Sequence, residues 1–278
     1  QLKKMVLEGV GNLRTLISMD AKTIHNGIYS ETELIQIGNI QIQNGNREFL
    51  DSKINPEEMN IMLFTSGTTS ESKVVALSHK NICENLMDLA KVMDINENDK
   101  ILSFLPVHHV FECTVGFLFA LYKGAQTSFC DGIKHIVPNL KEYEISFACF
   151  VPAIYENMYK NIVKKLEKEN KLETINMLIE KNKNASMEEK KKIFKDIHNI
   201  FGGNIRLFIS GAAPLDKKVE EWFRSVGINL CQGYGLTETS PVVALERGEF
   251  IRPGSIGTKL PSIEVKIDTP DSDGMGEL

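Results

Sequence analysis

From Ile61 onward, apolar runs of strand length alternate with longer segments whose apolar residues recur every three or four positions. This alternation predicts an α/β fold, a mostly parallel sheet flanked by helices on both faces. Residues 61–64 read as its first buried strand. Ser78 stands where a helix is capped, and Ile82, Leu86, Leu89, Ala90 and Met93 follow at helical spacing. Strands at 101–105, 127–129 and 146–151 surround a helix at 110–122 that stops near Gly124. A strand at 205–209 runs into Ser210, Gly211, Ala212, Ala213 and Pro214, and Pro214 suits the first turn of a helix. Leu215, Val219, Trp222, Phe223 and Val226 form that helix's buried stripe, Gly227 ends it, and a short strand at 228–231 comes next.

Two stretches break the rhythm. Residues from about 154 to 200 form a helical insertion dense in lysine and glutamate, with a turn and helix start at Asn184, Ala185 and Ser186. Its basic face suits either anionic lipid or plain solvent, and the interspersed acids favour solvent. Beyond Gly254 the pattern changes to short alternating segments such as 263–267, the expected start of a small β subdomain. The expected division is therefore a partial α/β domain over 1–250 and a β subdomain beginning at 251–278.

A composition of 42% hydrophobic and 25% charged residues over 278 positions is that of an ordinary globular chain with a large core. The net charge of -5 argues against general affinity for nucleic acid. Five cysteines, odd in number and widely spaced, read as reduced core residues of a cytoplasmic protein rather than as staples or zinc ligands. The longest apolar run, at 110–122, is too short to span a bilayer.

Chemistry concentrates in two loops. The run Thr65, Ser66, Gly67, Thr68, Thr69, Ser70, Glu71, Ser72, Lys73 follows the first strand, and its hydroxyls, loop amides and ammonium suit either a phosphate or an ordinary polar turn. Far along the chain, Gln232, Gly233, Tyr234, Gly235, Leu236, Thr237, Glu238 follow the strand at 228–231. In an open α/β sheet, loops at the carboxyl ends of strands face one crevice although they lie far apart in sequence. Gly211, Ala212 and Ala213 are small enough to let a flat base approach the backbone, and Tyr234 offers a ring to stack on. The alternative for these residues is tight strand-helix packing and a half-buried aromatic.

In order, these segments resemble the adenylate-forming (AMP-binding) enzymes, and among them the long-chain fatty acyl-CoA ligases. Residues 65–73 are similar to the family's phosphate loop, and Leu77 to Asn81 also fit. Leu105-Pro106-Val107-His108-His109 with Glu112 resembles the Leu-Pro-x-x-His segment near the acyl site. Residues 210–214 resemble the adenine-side loop, and 233–238 the Tyr-Gly-x-Thr-Glu signature. Four such motifs in the family's order form a specific signal.

The resemblance implies activation of a long-chain fatty acid by ATP to an acyl adenylate, then transfer to coenzyme A. It implies that Thr65, Ser66, Gly67, Thr68, Thr69 and Lys73 hold the β- and γ-phosphates and that Thr237 touches the α-phosphate. Glu238 with the Thr65 hydroxyl would hold magnesium. Gly211, Ala212, Ala213, Gln232, Gly233, Tyr234 and Gly235 would hold the base, and His109 with Glu112 would line the acyl mouth. His108 has no motif counterpart and is assigned to the surface. The implied partners are the fatty acid, ATP and coenzyme A, with peripheral membrane contact compatible with so greasy a substrate.

Departures from the pattern are Ser70, Ser72 and Val74, where the family has Gly, Pro and Gly, so positive backbone φ there becomes costly. The ribose-binding aspartate, hinge and carboxy-terminal lid domain of the family have no counterpart, so the expectation is a central fragment, inactive alone. A ligase that uses an acyl carrier protein or another carboxylate, and a non-catalytic nucleotide- or acyl-binding fragment, are the alternatives. A P-loop hydrolase fails, because no second glycine precedes Lys73 and Val74 replaces the expected Ser or Thr.

Overall fold

The protein is described as a computed structural model covering residues 4, 8–9, 15–23, 28–65, 73–248 and 251–278. The chain divides into two compact units, residues 1–55 and 56–278. In the first, β1 (Leu16–Ser18) pairs in parallel with β2 (Ile28–Ser30), and α1 (Glu31–Gln43) follows with Ser30 as its cap.

The second unit carries the predicted α/β architecture. β3 (Ile61–Thr65) and β4 (Lys73–Leu77) form an antiparallel hairpin. Helix α2 (His79–Val92) leads to β5 (Lys100–Ser103), and a π-helical segment, Glu112–Leu118, runs on into α3 (Phe119–Lys123). Then come β6 (Gln126–Phe129), α4 (Ile136–Glu142) and β7 (Phe147–Phe150). Helices α5 (Pro152–Lys168), α6 (Leu172–Lys181), α7 (Met187–Ile193) and α8 (Lys195–Ile200) precede β8 (Leu207–Ser210). The unit closes with α9 (Lys217–Ser225), β9 (Leu230–Gly235), β10 (Val242–Leu245) and β11 (Thr258–Lys259). The seven-stranded sheet has the order β11-β10-β9-β8-β7-β5-β6, parallel from β9 to β6 and antiparallel at β10 and β11.

Strand side chains alternate between two cores, as a sheet covered on both faces requires. Leu102, Ala148, Phe150, Phe208 and Leu230 point into one, which α4, α5 and α9 cover. Ile101, Phe147, Cys149, Ile209 and Cys231 point into the other, under α2, the π-helical segment and α3. Phe208 is fully buried, so its truncation to alanine costs about 3–5 kcal/mol.

The stretch expected as a helical insertion is four helices, and its two ends belong to the sheet's own cover. Ile154, Tyr155, Met158, Ile162 and Leu166 of α5, with Phe194, Ile197 and Phe201, lie in the first core. Tyr155 donates its hydroxyl to the Ile209 carbonyl at 2.9 Å. Lysine-rich composition masked this apolar stripe, because long charged side chains share helices with a buried face. After Gly254, β11 extends the main sheet, whereas 263–267 is not a strand and only an isolated bridge joins Asp268 to Glu277. All five cysteines are free, and no described helix is long and apolar enough to cross a membrane.

Candidate active site

Inner-face positions near the carboxyl ends of β8 and β9 are glycine: Gly211, Gly233 and Gly235. Without side chains they leave a hollow under α2 and the π-helical segment, a cavity of about 530 Å³. Its walls bring together Thr65, Lys73, His109, Gly211, Ala212, Gly233, Tyr234, Gly235, Thr237 and Glu238. Thr65 and Lys73, which flank the first loop singled out in the sequence, therefore share one cavity with residues of the second. Thr65 and Lys73 are direct cross-strand partners, the last pair of the β3-β4 hairpin before the segment that joins its strands, and β4 packs against the Thr237–Thr239 turn that carries Glu238. Ser66, Gly67, Thr68 and Thr69 lie outside the described residues, as do Ser70 and Ser72. Val74, the third departure from the pattern, sits in β4 opposite Phe64 in extended backbone, so the feared positive φ does not arise.

Among the described residues, the side chains of Lys73, His109, Thr237 and Glu238 make no hydrogen bond or ion pair within the protein. Their donors and acceptors are available to a ligand. The far end of the cavity is apolar, formed by Leu89, Met93, Val115, Ile209 and Leu245. Glycines are required by close packing. A Cβ at Gly235 would collide with the Pro241 carbonyl, and one at Gly211 would stand 2.9 Å from the Phe111 ring. Ala212 adopts φ 70, a left-handed conformation that L residues enter at a cost.

Three expected site residues lie elsewhere. Ala213 is exposed and does not line the cavity. Gln232 is buried with its amide already used: Oε1 accepts from the Leu215 N–H at 2.7 Å and Nε2 donates to the Ser255 carbonyl at 2.8 Å. It ties the backbone at Leu215 to that at Ser255 behind the cavity. Glu112 is wholly buried behind the cavity wall, where it accepts from the Ser103 hydroxyl at 2.5 Å. Its carboxyl occupies the space that a side chain at Gly116 would fill. Burial raises that carboxyl from 4.5 to about 7, against the pull of the Ser103 hydroxyl and the Leu105 and Phe104 backbone. Glu112 thus props the 104–109 loop from inside rather than touching a ligand, while His109 lines the mouth and His108 does not.

Two supporting residues on α2 were missed. The Asn85 amide donates to the Val242 carbonyl at 2.8 Å and accepts from the Val242 N–H at 3.2 Å, fixing the start of β10 beside the Glu238 turn. Asp88, also buried, accepts from the Ser262 N–H and hydroxyl and from Lys91. Burial pulls its carboxyl upward, but these hydrogen bonds hold it below its ordinary value. Ser78, Asn81, Asn85 and Asp88 recur every three or four positions, a polar stripe beside the apolar one that signals an inward polar face.

No group of three or more His, Cys, Asp or Glu gathers among the described residues. One carboxylate with one hydroxyl nevertheless fits a magnesium ion, which keeps several waters and takes few protein oxygens. Glu238 and Thr65, on the same cavity wall, are the pair able to supply them.

The AMP-binding enzyme family model matches residues 8–278. A probable CoA ligase of Humulus lupulus is 27% identical over 96% of this chain and 43% of its own length. A long chain acyl-CoA synthetase of Arabidopsis thaliana is 29% identical over 90% and 40%. A chloroplastic long-chain-fatty-acid acyl-carrier-protein ligase of the same plant is 27% identical over 89% and 40%. The chain thus spans about two fifths of the length of these curated relatives. Among solved structures, ATP-bound MatB from Rhodopseudomonas palustris superimposes with a TM-score of 0.58 at 24% identity, over 82% of this chain and 38% of that one. An anthranilate CoA ligase in complex with anthranoyl-AMP gives 0.67 at 17%, over 98% and 46%. With the fold, the shared cavity and the matched residues in agreement, the chain belongs to the AMP-binding enzyme family.

Proposed function

We propose that this chain carries the nucleotide and acyl sites of a long-chain fatty acid-CoA ligase. One observation carries the reading: a single cavity joins an ionic mouth, with Lys73 and Glu238, to an apolar end formed by Leu89, Met93, Val115, Ile209 and Leu245. A fatty carboxylate has that same division. The long-chain synthetase among the relatives supports the acyl class, and the coenzyme A ligases support the acceptor.

In the first half-reaction a carboxylate oxygen attacks the α-phosphorus of ATP, forming a P–O bond as pyrophosphate leaves with the electron pair of the cleaved one. The protein's part is to align and to neutralise charge. Lys73 meets the β- and γ-phosphates at the hairpin mouth, and the Thr237 hydroxyl meets the α-phosphate. Tyr234 stacks on the base above the bare backbone of Gly211 and Gly233. Magnesium, when bound by Glu238 and Thr65, supplies further charge neutralisation. The apolar end takes the hydrocarbon tail. In the second half-reaction the thiol sulfur of coenzyme A attacks the acyl carbonyl, and AMP leaves.

The test is calorimetric titration of the chain with ATP and with stable acyl-adenylate analogues of different chain length. The expected result is a hexadecanoyl analogue binding at least ~100-fold tighter than the acetyl one, from burial of methylenes. Equal affinity would sink the long-chain reading, and failure to bind ATP or either analogue would sink the ligase reading itself.

A further inference from the structure

Glu112 is a buried acid that neither half-reaction uses, and its neighbours along the chain build one wall of the cavity. His109, Val110, Phe111 and Val115 all line it. The Phe111 ring lies against the bare backbone of Gly211, on the side assigned to the base, while Val115 belongs to the apolar end. One segment thus serves both parts of the site. It is π-helical over Glu112–Leu118, wider than an α turn, and the Glu112 carboxyl folds back along it to within 2.5–2.7 Å of where a Cβ at Gly116 would stand. The same carboxyl accepts from the Ser103 hydroxyl at 2.5 Å, so it also clasps the end of β5, from which the 104–109 loop departs. Its second oxygen, Oε2, is buried without a hydrogen-bond partner, and the side chain makes no ion pair among the described residues.

We propose that Glu112 is a positioning residue for the cavity's ligands: as the neutral acid it locks the end of β5 to the π-helical segment and so sets His109, Phe111 and Val115. The inference rests on the ligase reading above and adds to it a proton on which the wall depends. A neutral carboxyl with one unpaired oxygen costs far less to bury than a carboxylate with no cation, which must reach for water. Reaching water means leaving Gly116 and Ser103. The groups that face Glu112 bring no compensating charge, since Cys113 on the segment and Cys149 on β7 are thiols pushed upward by burial and then by the Glu112 charge. Asp88 of α2 is engaged by Ser262 and Lys91, and Lys100 of β5 pairs with Glu144. Burial places the Glu112 carboxyl at about 7. Because the binding conformation holds the neutral form, affinity is complete well below that value and is lost as pH rises through it.

The experiment measures Kd for a hexadecanoyl-adenylate analogue, its linkage free of titrating groups, from about pH 6 to pH 8.5 on the full chain and two variants. In the parent chain, affinity is expected to fall at least ~10-fold across that range. Glu112→Gln keeps a neutral group of the same shape and leaves His109 in place, so it is expected to bind within about twofold of the parent at low pH and to lose the slope. Ser103→Ala removes a hydrogen bond that favours the charged form, so its pH midpoint is expected to move upward; it decides the matter if the first variant does not fold. A flat parent profile, a folded Glu112→Gln that keeps the slope or binds weakly at low pH, or a Ser103→Ala midpoint that stays or falls overturns the positioning role and leaves the ligase reading standing. A parent chain that binds the analogue at no pH overturns the ligase reading, and the positioning role with it.

Discussion

The two ends of the sheet are built from the same residue types and use them in opposite ways. At the amino ends, Asp99 is buried and accepts from Arg206 Nε at 3.0 Å and Nη2 at 2.7 Å, from the Ser146 hydroxyl at 2.6 Å and from the Asn96 N–H at 3.0 Å. These groups answer one another, and three strand ends are tied together. At the carboxyl ends, Lys73, His109, Thr237 and Glu238 surround a cavity with no hydrogen-bond or ion-pair partner for their side chains among the described residues. A paired network contributes to stability, whereas unpaired donors and acceptors around a hollow leave their interaction energy for a ligand.

The largest expected effect tests the paired end. Burial pulls the Asp99 carboxyl upward, yet the Arg206 guanidinium and its other partners hold it below its ordinary value. Asp99→Ala strands Arg206 and Ser146, and the expected loss is about 3 kcal/mol in urea unfolding, moderated because Arg206 keeps some contact with water. Lys73→Ala should change stability by less than about 0.5 kcal/mol. Comparable losses in the two variants would erase the contrast.

The second effect belongs to the open end. Removing the ammonium of Lys73 takes away charge-assisted hydrogen bonds worth about 1.5–3 kcal/mol, so ATP affinity is expected to fall roughly 10- to 100-fold with the melting temperature unmoved. Glu238→Gln should weaken ATP only when magnesium is present. Titrations with and without the ion separate the two roles, and equal weakening in both would remove Glu238 from the metal.

The open end was the more legible in the sequence. Thr65, Lys73, Tyr234 and Glu238 stand in short polar, glycine-rich stretches of the sequence, which a ligand site with bare backbone and unpaired polar groups favours, so they stand out locally. The paired end is invisible by the same logic: Asp99, Ser146 and Arg206 lie far apart in sequence and meet only after the strands align. Asn85 and Asp88 were hidden within an amphipathic helix for the same reason. Glu112 shows the opposite failure, because a motif set it at the ligand while Gly116 let it fold back under the wall toward Ser103.

A third effect, one of pH, arises beside β9. Glu220 and Glu246 are both buried, Glu246 accepting from the Gln232 and Arg252 N–H groups and Glu220 from the Gly254 N–H. Burial first, and then the Glu246 charge, raises the Glu220 carboxyl from 4.5 to about 7, with the Gly254 N–H and Arg224 opposing. The folded state therefore holds this proton more tightly than the unfolded chain. Its stabilising contribution is complete below about 4.5 and is lost as pH rises through about 7, a change on the order of 1–3 kcal/mol. Glu112 moves in the same direction. Urea midpoints are expected to fall between about pH 5 and pH 8, and Glu220→Gln to flatten that slope. An unchanged slope in the variant would assign the pH dependence to other groups.

The smallest effect separates strain from charge. Ala212 at the cavity wall and Glu144 just before β7 both hold left-handed backbone, φ 70 and φ 53. Glycine relieves such strain but adds freedom to the unfolded chain, so Ala212→Gly and Glu144→Gly should each shift stability by less than about 1 kcal/mol. Glu144→Gly also loses its exposed Lys100 ion pair, worth little. Only Ala212→Gly should alter ATP affinity, weakening it about two- to fivefold, because a fixed alanine holds the wall's backbone in its binding shape while a glycine must be ordered on binding. If both variants bind ATP as the parent chain does, the wall's rigidity contributes nothing, and the contrast between the two ends rests on unpaired charge alone.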